Sequence, residues 1–157
     1  MPVGIMCFKG LDLHLKDIQQ LIEFSPNTVV ILDHIGFTKV GDSKGDANFQ
    51  DLLALSKHPN VYIKISALFR VASESGESFP YDDVKEKRFV PLLDAFGADR
   101  LMFGTDFPFV LETPNGYKGA VDVVMSWAEK EEDKKMLMGG TAERLFGVWG
   151  NGARSSV

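Results

Sequence analysis

The sequence predicts an α/β fold made of four successive strand-helix units, and three observations carry that prediction. Short apolar runs recur at 3–8, 28–32, 61–66 and 100–103. Three of them are continuously apolar, as strands covered on both faces are. Between them lie amphipathic stretches at helical spacing, each long enough for a right-handed crossover between parallel strands.

Composition bounds the function classes. The chain has 157 residues, 45% of them hydrophobic and 25% charged, which describes one ordinary globular domain with a real core. Asp and Glu number 22 against 17 Lys and Arg, and no basic run occurs, so no nucleic-acid partner is expected. No stretch approaches the length of a membrane span, and the opening Met-Pro-Val-Gly-Ile-Met lacks the positive region of a signal peptide. A cytoplasmic location without a membrane partner follows as the expectation. The single cysteine, Cys7, sits inside an apolar run and reads as a buried small hydrophobe in a reducing compartment. The chain enters a strand at once, which suits a natural start and equally a chain beginning in the middle of a larger domain.

In order, Val3 to Phe8 predicts the first strand, with Gly10 and Asp12 in the turn after it. Leu15, Ile18, Leu21 and Ile22 fall at helical spacing, so 13–24 is a helix, ended by Ser25-Pro26-Asn27. The second strand, Thr28 to Leu32, ends in Asp33-His34-Ile35-Gly36. A polar loop, 41–45, leads to a helix over 46–57 with Phe49, Leu52, Leu53 and Leu55 inward. After His58-Pro59-Asn60 the third strand, 61–66, alternates more than the others and places Tyr62, Lys64 and Ser66 on one face. Lys64 reads there as a solvated or snorkelling side chain. Leu68-Phe69-Arg70 and a Ser/Glu/Gly-rich loop, 72–81, follow, the loop being long enough to cover a site.

A third helix, 82–96, takes Asp82 or Asp83 as its cap and carries Pro91 as a defect that kinks it or shifts its start. The fourth strand, Arg-Leu-Met-Phe at 100–103, runs through Gly104, where the backbone passes close to a neighbour, to Asp106 and a strand-ending Pro108. Helices around 120–130, to 138 and over 141–146 complete the chain. Two architectures accommodate this pattern: a doubly wound open sheet, or half of an eight-stranded barrel.

Three chemically equipped residues stand at or just past strand ends: His34, Arg70 and Asp106. Parallel strands share one carboxyl edge, so these residues converge there, where a carboxylate can take a proton from water while His and Arg polarise a carbonyl. Each has a bland alternative. Asp106 is a helix cap or turn residue, His34 a core histidine bonded to a carbonyl, and Arg70 an exposed loop cation. His14 and His58 read as structural or solvated.

Val-Ile-Leu-Asp-His-Ile-Gly (30–36), Pro-Asn-Val-Tyr-Ile-Lys-Ile-Ser (59–66), Asp-Arg-Leu-Met-Phe-Gly-Thr-Asp-Phe-Pro (99–108) and Gly-Gly-Thr-Ala-Glu-Arg-Leu-Phe (139–146) resemble successive motifs of the amidohydrolase-related proteins, the group of metal-dependent decarboxylases and of sugar and pyrone-dicarboxylate lactonases. The resemblance spans nearly the whole chain and implies a (β/α)8 TIM barrel, with only about the last four β/α units present. Residues 1–150 are then a partial barrel domain and 151–157 a loose tail. By the same resemblance Asp106 and His34 are the catalytic candidates, Asp106 acting on the hydrolytic water, while Arg70 and Tyr81 contact an acidic substrate. Thr141 stands where many relatives have Asn, as the cap of the last helix.

The departures shape the functional expectation. The family's His-x-His pair on its first strand is absent, so no metal site closes within this chain alone. His34 and Asp106 would ligate zinc only if an amino-terminal half supplied the pair. The expected function is hydrolysis of a lactone of a small acidic or sugar-derived acid, without a cofactor, by a chain that in isolation is inactive or needs a second copy or that amino-terminal half. A non-catalytic interaction module and a metal-dependent decarboxylase or amidohydrolase are the alternatives.

Overall fold

The computed structural model describes residues 1–73 and 79–147. The expected tail at 151–157 and positions 74–78 of the predicted covering loop lie outside the described residues. The strands are β1 (Val3–Ile5), β2 (Val30–Leu32), β3 (Val61–Ile65) and β4 (Leu101–Phe103), all parallel and in the order β1-β2-β3-β4. Helices α1 (Leu15–Phe24) and α2 (Ser43–Ala54) follow the first two strands, while α3 (Leu68–Val71), α4 (Asp82–Val84) and α5 (Val90–Phe96) follow β3. After β4 come α6 (Gly116–Trp127), α7 (Glu131–Lys135) and α8 (Thr141–Phe146).

The sheet's two faces differ. Val30, Leu32, Val61, Ile63, Ile65 and Leu101 are fully buried and form the core with Leu52, Phe89 and Leu92 of the surrounding helices. Each such side chain contributes about 1.5–3 kcal/mol by leaving water. Along the opposite face Ile31 pairs in register with Tyr62, and Lys64 with Met102. Gly104 continues that row: a Cβ there would stand 3.1 Å from Lys64 Cδ, so the predicted close approach is to the lysine stem. The Lys64 ammonium is held 2.5 Å from Asp33 Oδ1, an ion pair where a solvated lysine was expected.

Several boundaries moved for identifiable reasons. Helix α2 starts at Ser43 because the Asp42 carboxylate accepts from Lys44 N and Gly45 N, so the polar stretch read as loop is its first turn. Gly45 permits that start, since a Cβ would fall 2.1 Å from the Lys39 carbonyl oxygen. The helix read over 82–96 is broken by a wide turn at Lys85–Phe89. Pro91 cannot donate to the Lys87 carbonyl four residues back, and Arg88 Nη1 donates to it instead at 3.0 Å. Asp83 does not cap the helix from its first position but accepts from Ser73 N and Oγ at 3.0 and 2.8 Å. Thr141 likewise is no cap; fully buried, it donates to the Ala98 carbonyl at 3.1 Å.

Strands β1 and β4 each have one sheet neighbour among the described residues, so both present an unpaired edge. Self-association through those edges is expected. Light scattering on the purified 17.4-kDa chain should give a larger mass, and a monodisperse monomer would refute the expectation.

Candidate active site

The carboxyl end of each strand after β1 delivers one functional group. Past β2 the backbone enters a left-handed run, with φ near 53° at His34 and Ile35, 61° at Gly36 and 55° at Phe37. Such a run costs energy at every non-glycine position and persists only where the surroundings hold it. Ile35, fully buried, anchors it, and its carbonyl accepts from Thr38 Oγ1 at 2.8 Å. Arg88 fixes the next segment by donating to the Thr38 and Lys39 carbonyls at 2.8 and 2.9 Å. Past β3, Ala67 is also left-handed and starts α3, which carries Arg70. Past β4 the same conformation recurs at Asp106, with φ 63°.

These three turns bring the predicted trio together. His34 Nε2 lies 3.6 Å from Asp106 Oδ1, and Arg70 Nε donates to Asp106 Oδ2 at 3.3 Å. His34 Nδ1 is bonded to the Ser66 hydroxyl at 2.7 Å. The Asp106 carboxylate thus faces a histidine and an arginine, neither of them a cap contact, and the His34 partner is a hydroxyl where a carbonyl was the bland expectation. With Nε2 carrying the proton toward Asp106, Nδ1 accepts from Ser66.

The trio opens into a cavity of about 380 Å³ whose remaining walls are Met6, Phe8, Phe37 and Phe109. Phe37 meets both Phe8 and His34 edge to face, at centroid distances of 5.4 and 5.0 Å. The Arg70 guanidinium carbon lies 5.2 Å from the Phe69 centroid and 4.9 Å from that of Phe109. Tyr81 is not brought to this cluster. It is buried, packs edge to face on Phe79 and lines a separate small void with Leu68 and Val110. Burial raises its phenol pKa. Sequence reasoning missed Ser66 and the aromatic walls. Ser66 was legible as the last polar residue on the Lys64 face, whereas Phe8, Phe37 and Phe109 carry no local signal that sets them apart from core positions.

Burial lowers the His34 pKa below its ordinary 6.5, against the opposing pull of the Asp33 and Asp106 charges. His34 is therefore neutral at pH 7 in the folded chain. Below pH 6.5 the unfolded chain binds its proton while the folded chain resists, so stability falls as pH drops through that window. In urea titrations between pH 7.5 and 5, His34→Gln should lose part of the acid destabilisation that the parent shows. An identical pH slope in both would mean that His34 stays solvated.

A metal finds two donors here. Among the described residues no three His, Cys, Asp or Glu side chains gather as a ligand set, and a zinc centre takes at least three protein ligands. His34 and Asp106 alone do not fit a closed site.

Comparisons with known proteins identify the family of the fold. The amidohydrolase family model matches residues 8–148. The chain is 30% identical over 147 residues to an L-fucono-1,5-lactonase of Burkholderia multivorans, covering 85% of this chain and 48% of that protein. It is 29% identical over 133 residues to a 4-sulfomuconolactone hydrolase of Hydrogenophaga intermedia, covering 78% of this chain and 40% of that one. An amidohydrolase structure from Burkholderia multivorans with bound zinc superposes with a TM-score of 0.70 at 28% identity, over 91% of this chain and 50% of that one. Amidohydrolase 2 from Bifidobacterium longum subsp. infantis, at 22% identity and a TM-score of 0.62, shares the fold over 92% of this chain and 48% of its own. The chain spans about half the length of the curated relatives it matches. The parallel sheet with its convergent strand ends corresponds to about half of an amidohydrolase barrel, and the chain belongs to the amidohydrolase family.

Proposed function

We propose that this chain carries the acid-base end of a lactone-hydrolysing site. The observation that supports it most is the Asp106 carboxylate, set between His34 and Arg70 at a strand's carboxyl end and open to a cavity. In this reading Asp106 takes a proton from water as the water's oxygen attacks the lactone carbonyl carbon. Neutral His34 donates from Nε2 to the oxygen on which negative charge develops. When the ring C–O bond breaks, Asp106 returns the proton to the departing oxygen, leaving a hydroxy acid. Arg70 orients the Asp106 carboxylate through its Nε hydrogen bond and meets an acidic group of the substrate. The names of two relatives, an L-fucono-1,5-lactonase and a 4-sulfomuconolactone hydrolase, favour the same bond type.

In this reading the chain alone takes no cofactor; zinc in a larger assembly would need ligands beyond His34 and Asp106. A cytoplasmic setting is proposed on the thiol: Cys7 is fully buried and its pKa is raised to about 11, as suits a permanently reduced side chain. Among the described residues no helix is long and apolar enough to cross a membrane.

The test is acid release from a panel of small acidic and sugar-derived lactones, measured with and without a chelator. Turnover that survives chelation supports the reading. Loss on chelation with recovery on zinc or manganese would replace it with metal-dependent chemistry, and no turnover of any lactone would favour a binding module.

A further inference from the structure

One strand of the sheet alternates. In β3 Val61, Ile63 and Ile65 are fully buried against the core, whereas Tyr62 and Lys64 are half-buried on the other face, and Ser66 continues their row just past the strand end. Two members of this row hold two consecutive residues past the end of β2. Lys64 pairs with Asp33 at 2.5 Å, and the Ser66 hydroxyl meets His34 Nδ1 at 2.7 Å. Gly104 leaves room for both, since a Cβ there would stand 3.1 Å from Lys64 Cδ and 3.4 Å from Ser66 Cβ.

The direction of the Ser66 hydrogen bond follows from burial. Ser66 is 1% exposed, and among the described residues its hydroxyl has His34 Nδ1 as its one partner. If Nδ1 carried the proton and donated to Ser66, the buried O–H would be left without an acceptor, at a cost that a donating hydroxyl avoids. Ser66 therefore donates. Nδ1 is then bare and the imidazole proton sits on Nε2, the nitrogen that faces Asp106.

Other contacts of the ring select its protonated nitrogen less well. Phe37 packs edge to face on the imidazole at 5.0 Å, which holds its plane but does not tell one nitrogen from the other. Asp106 Oδ1 favours a protonated Nε2, yet at 3.6 Å it is too far for a hydrogen bond. In the proposed hydrolysis Asp106 also becomes protonated as it takes the water's proton, and its pull on Nε2–H is lost at that moment. The Ser66 bond does not change in that step.

Building on the lactone-hydrolysing reading, we propose that Ser66 is a positioning residue of the site, whose hydroxyl, by donating to Nδ1, keeps the His34 proton on Nε2 and aimed at the developing oxyanion while Asp106 is protonated. It acts through His34 and touches no reacting atom. The polar alternation of β3 thereby gains a purpose that packing alone does not supply.

The test is heteronuclear NMR of the full chain labelled at its histidine nitrogens, which tells a protonated ring nitrogen from a bare one. Spectra are taken at about pH 8, where the rings are neutral, and His34→Gln identifies the His34 signals. The parent is expected to hold the proton on Nε2. Ser66→Ala, which removes the hydroxyl and little volume, is expected to lower the ratio of Nε2- to Nδ1-protonated His34 about 3- to 10-fold. It should lower kcat for lactone hydrolysis by a similar factor with KM nearly unchanged. Asp106→Gly, which removes the carboxylate at a position whose φ of 63° suits glycine, is expected to leave the proton on Nε2. A parent protonated on Nδ1, a ratio unchanged in Ser66→Ala, or a preference lost in Asp106→Gly would overturn the proposal. The two readings fail separately. A ratio that falls in Ser66→Ala, in a chain whose parent hydrolyses no lactone, keeps Ser66 as the holder of the imidazole and sinks the hydrolytic reading. Lactone turnover with a parent-like kcat in Ser66→Ala does the reverse.

Discussion

Asp106→Asn is expected to cut kcat for lactone hydrolysis by about 10²- to 10⁴-fold, the range of a positioned general base, while KM changes little. The asparagine amide fills nearly the same volume and can still meet Arg70, but it has no basic lone pair for the water's proton. The fold should tolerate the change. Arg70 is 34% exposed at its side chain and can be resolvated, so the lost ion pair costs less than about 1 kcal/mol. Matched thermal melts and steady-state kinetics of parent and variant decide the matter. A variant retaining full turnover removes Asp106 from the chemistry and returns it to the role of a turn residue.

Arg88→Met should be the most damaging substitution for stability away from the large core side chains. Arg88 is 3% exposed, with its guanidinium 4.5 Å from the Phe49 ring centroid. It donates to the carbonyls of Thr38, Lys39 and Lys87 and pairs with Asp46 at 2.5 Å. Methionine keeps the apolar stem and removes every donor, leaving buried carbonyls unserved at about 1–3 kcal/mol for each one that water does not reach. The expected loss is about 3 kcal/mol or more in urea unfolding. Because Thr38 and Lys39 directly follow the left-handed run that begins at His34, the same variant should weaken activity even where it remains folded. A loss below about 1 kcal/mol would mean that water replaces the guanidinium and that the run is held by Ile35 alone.

Much of this was legible in the chain itself. Three continuously apolar runs and one alternating run marked the four strands and their parallel direction, while their order in the sheet was left open between two architectures until the motifs were weighed. The convergence of His34, Arg70 and Asp106 followed as well, since parallel strands place all their carboxyl ends on one edge. Helix starts were less legible. Asp42 and Asp83 are both good cap residues by type, yet Asp42 caps α2 and Asp83 is drawn off to Ser73, a partner ten positions away.

Sequence alone therefore determined the α/β pattern, the strand edge at which His34, Arg70 and Asp106 gather and, through its motifs, the family. Tertiary structure decided what each polar group does. It gave Asp106 two partners and His34 a hydroxyl, paired Lys64 with Asp33, placed Tyr81 in the core and set four apolar side chains around the cavity. The physical reason is range. Strand and helix patterns are written in neighbours a few positions apart, whereas a side chain's partner and the neutral state of His34 depend on groups more than thirty positions away that only folding brings within reach.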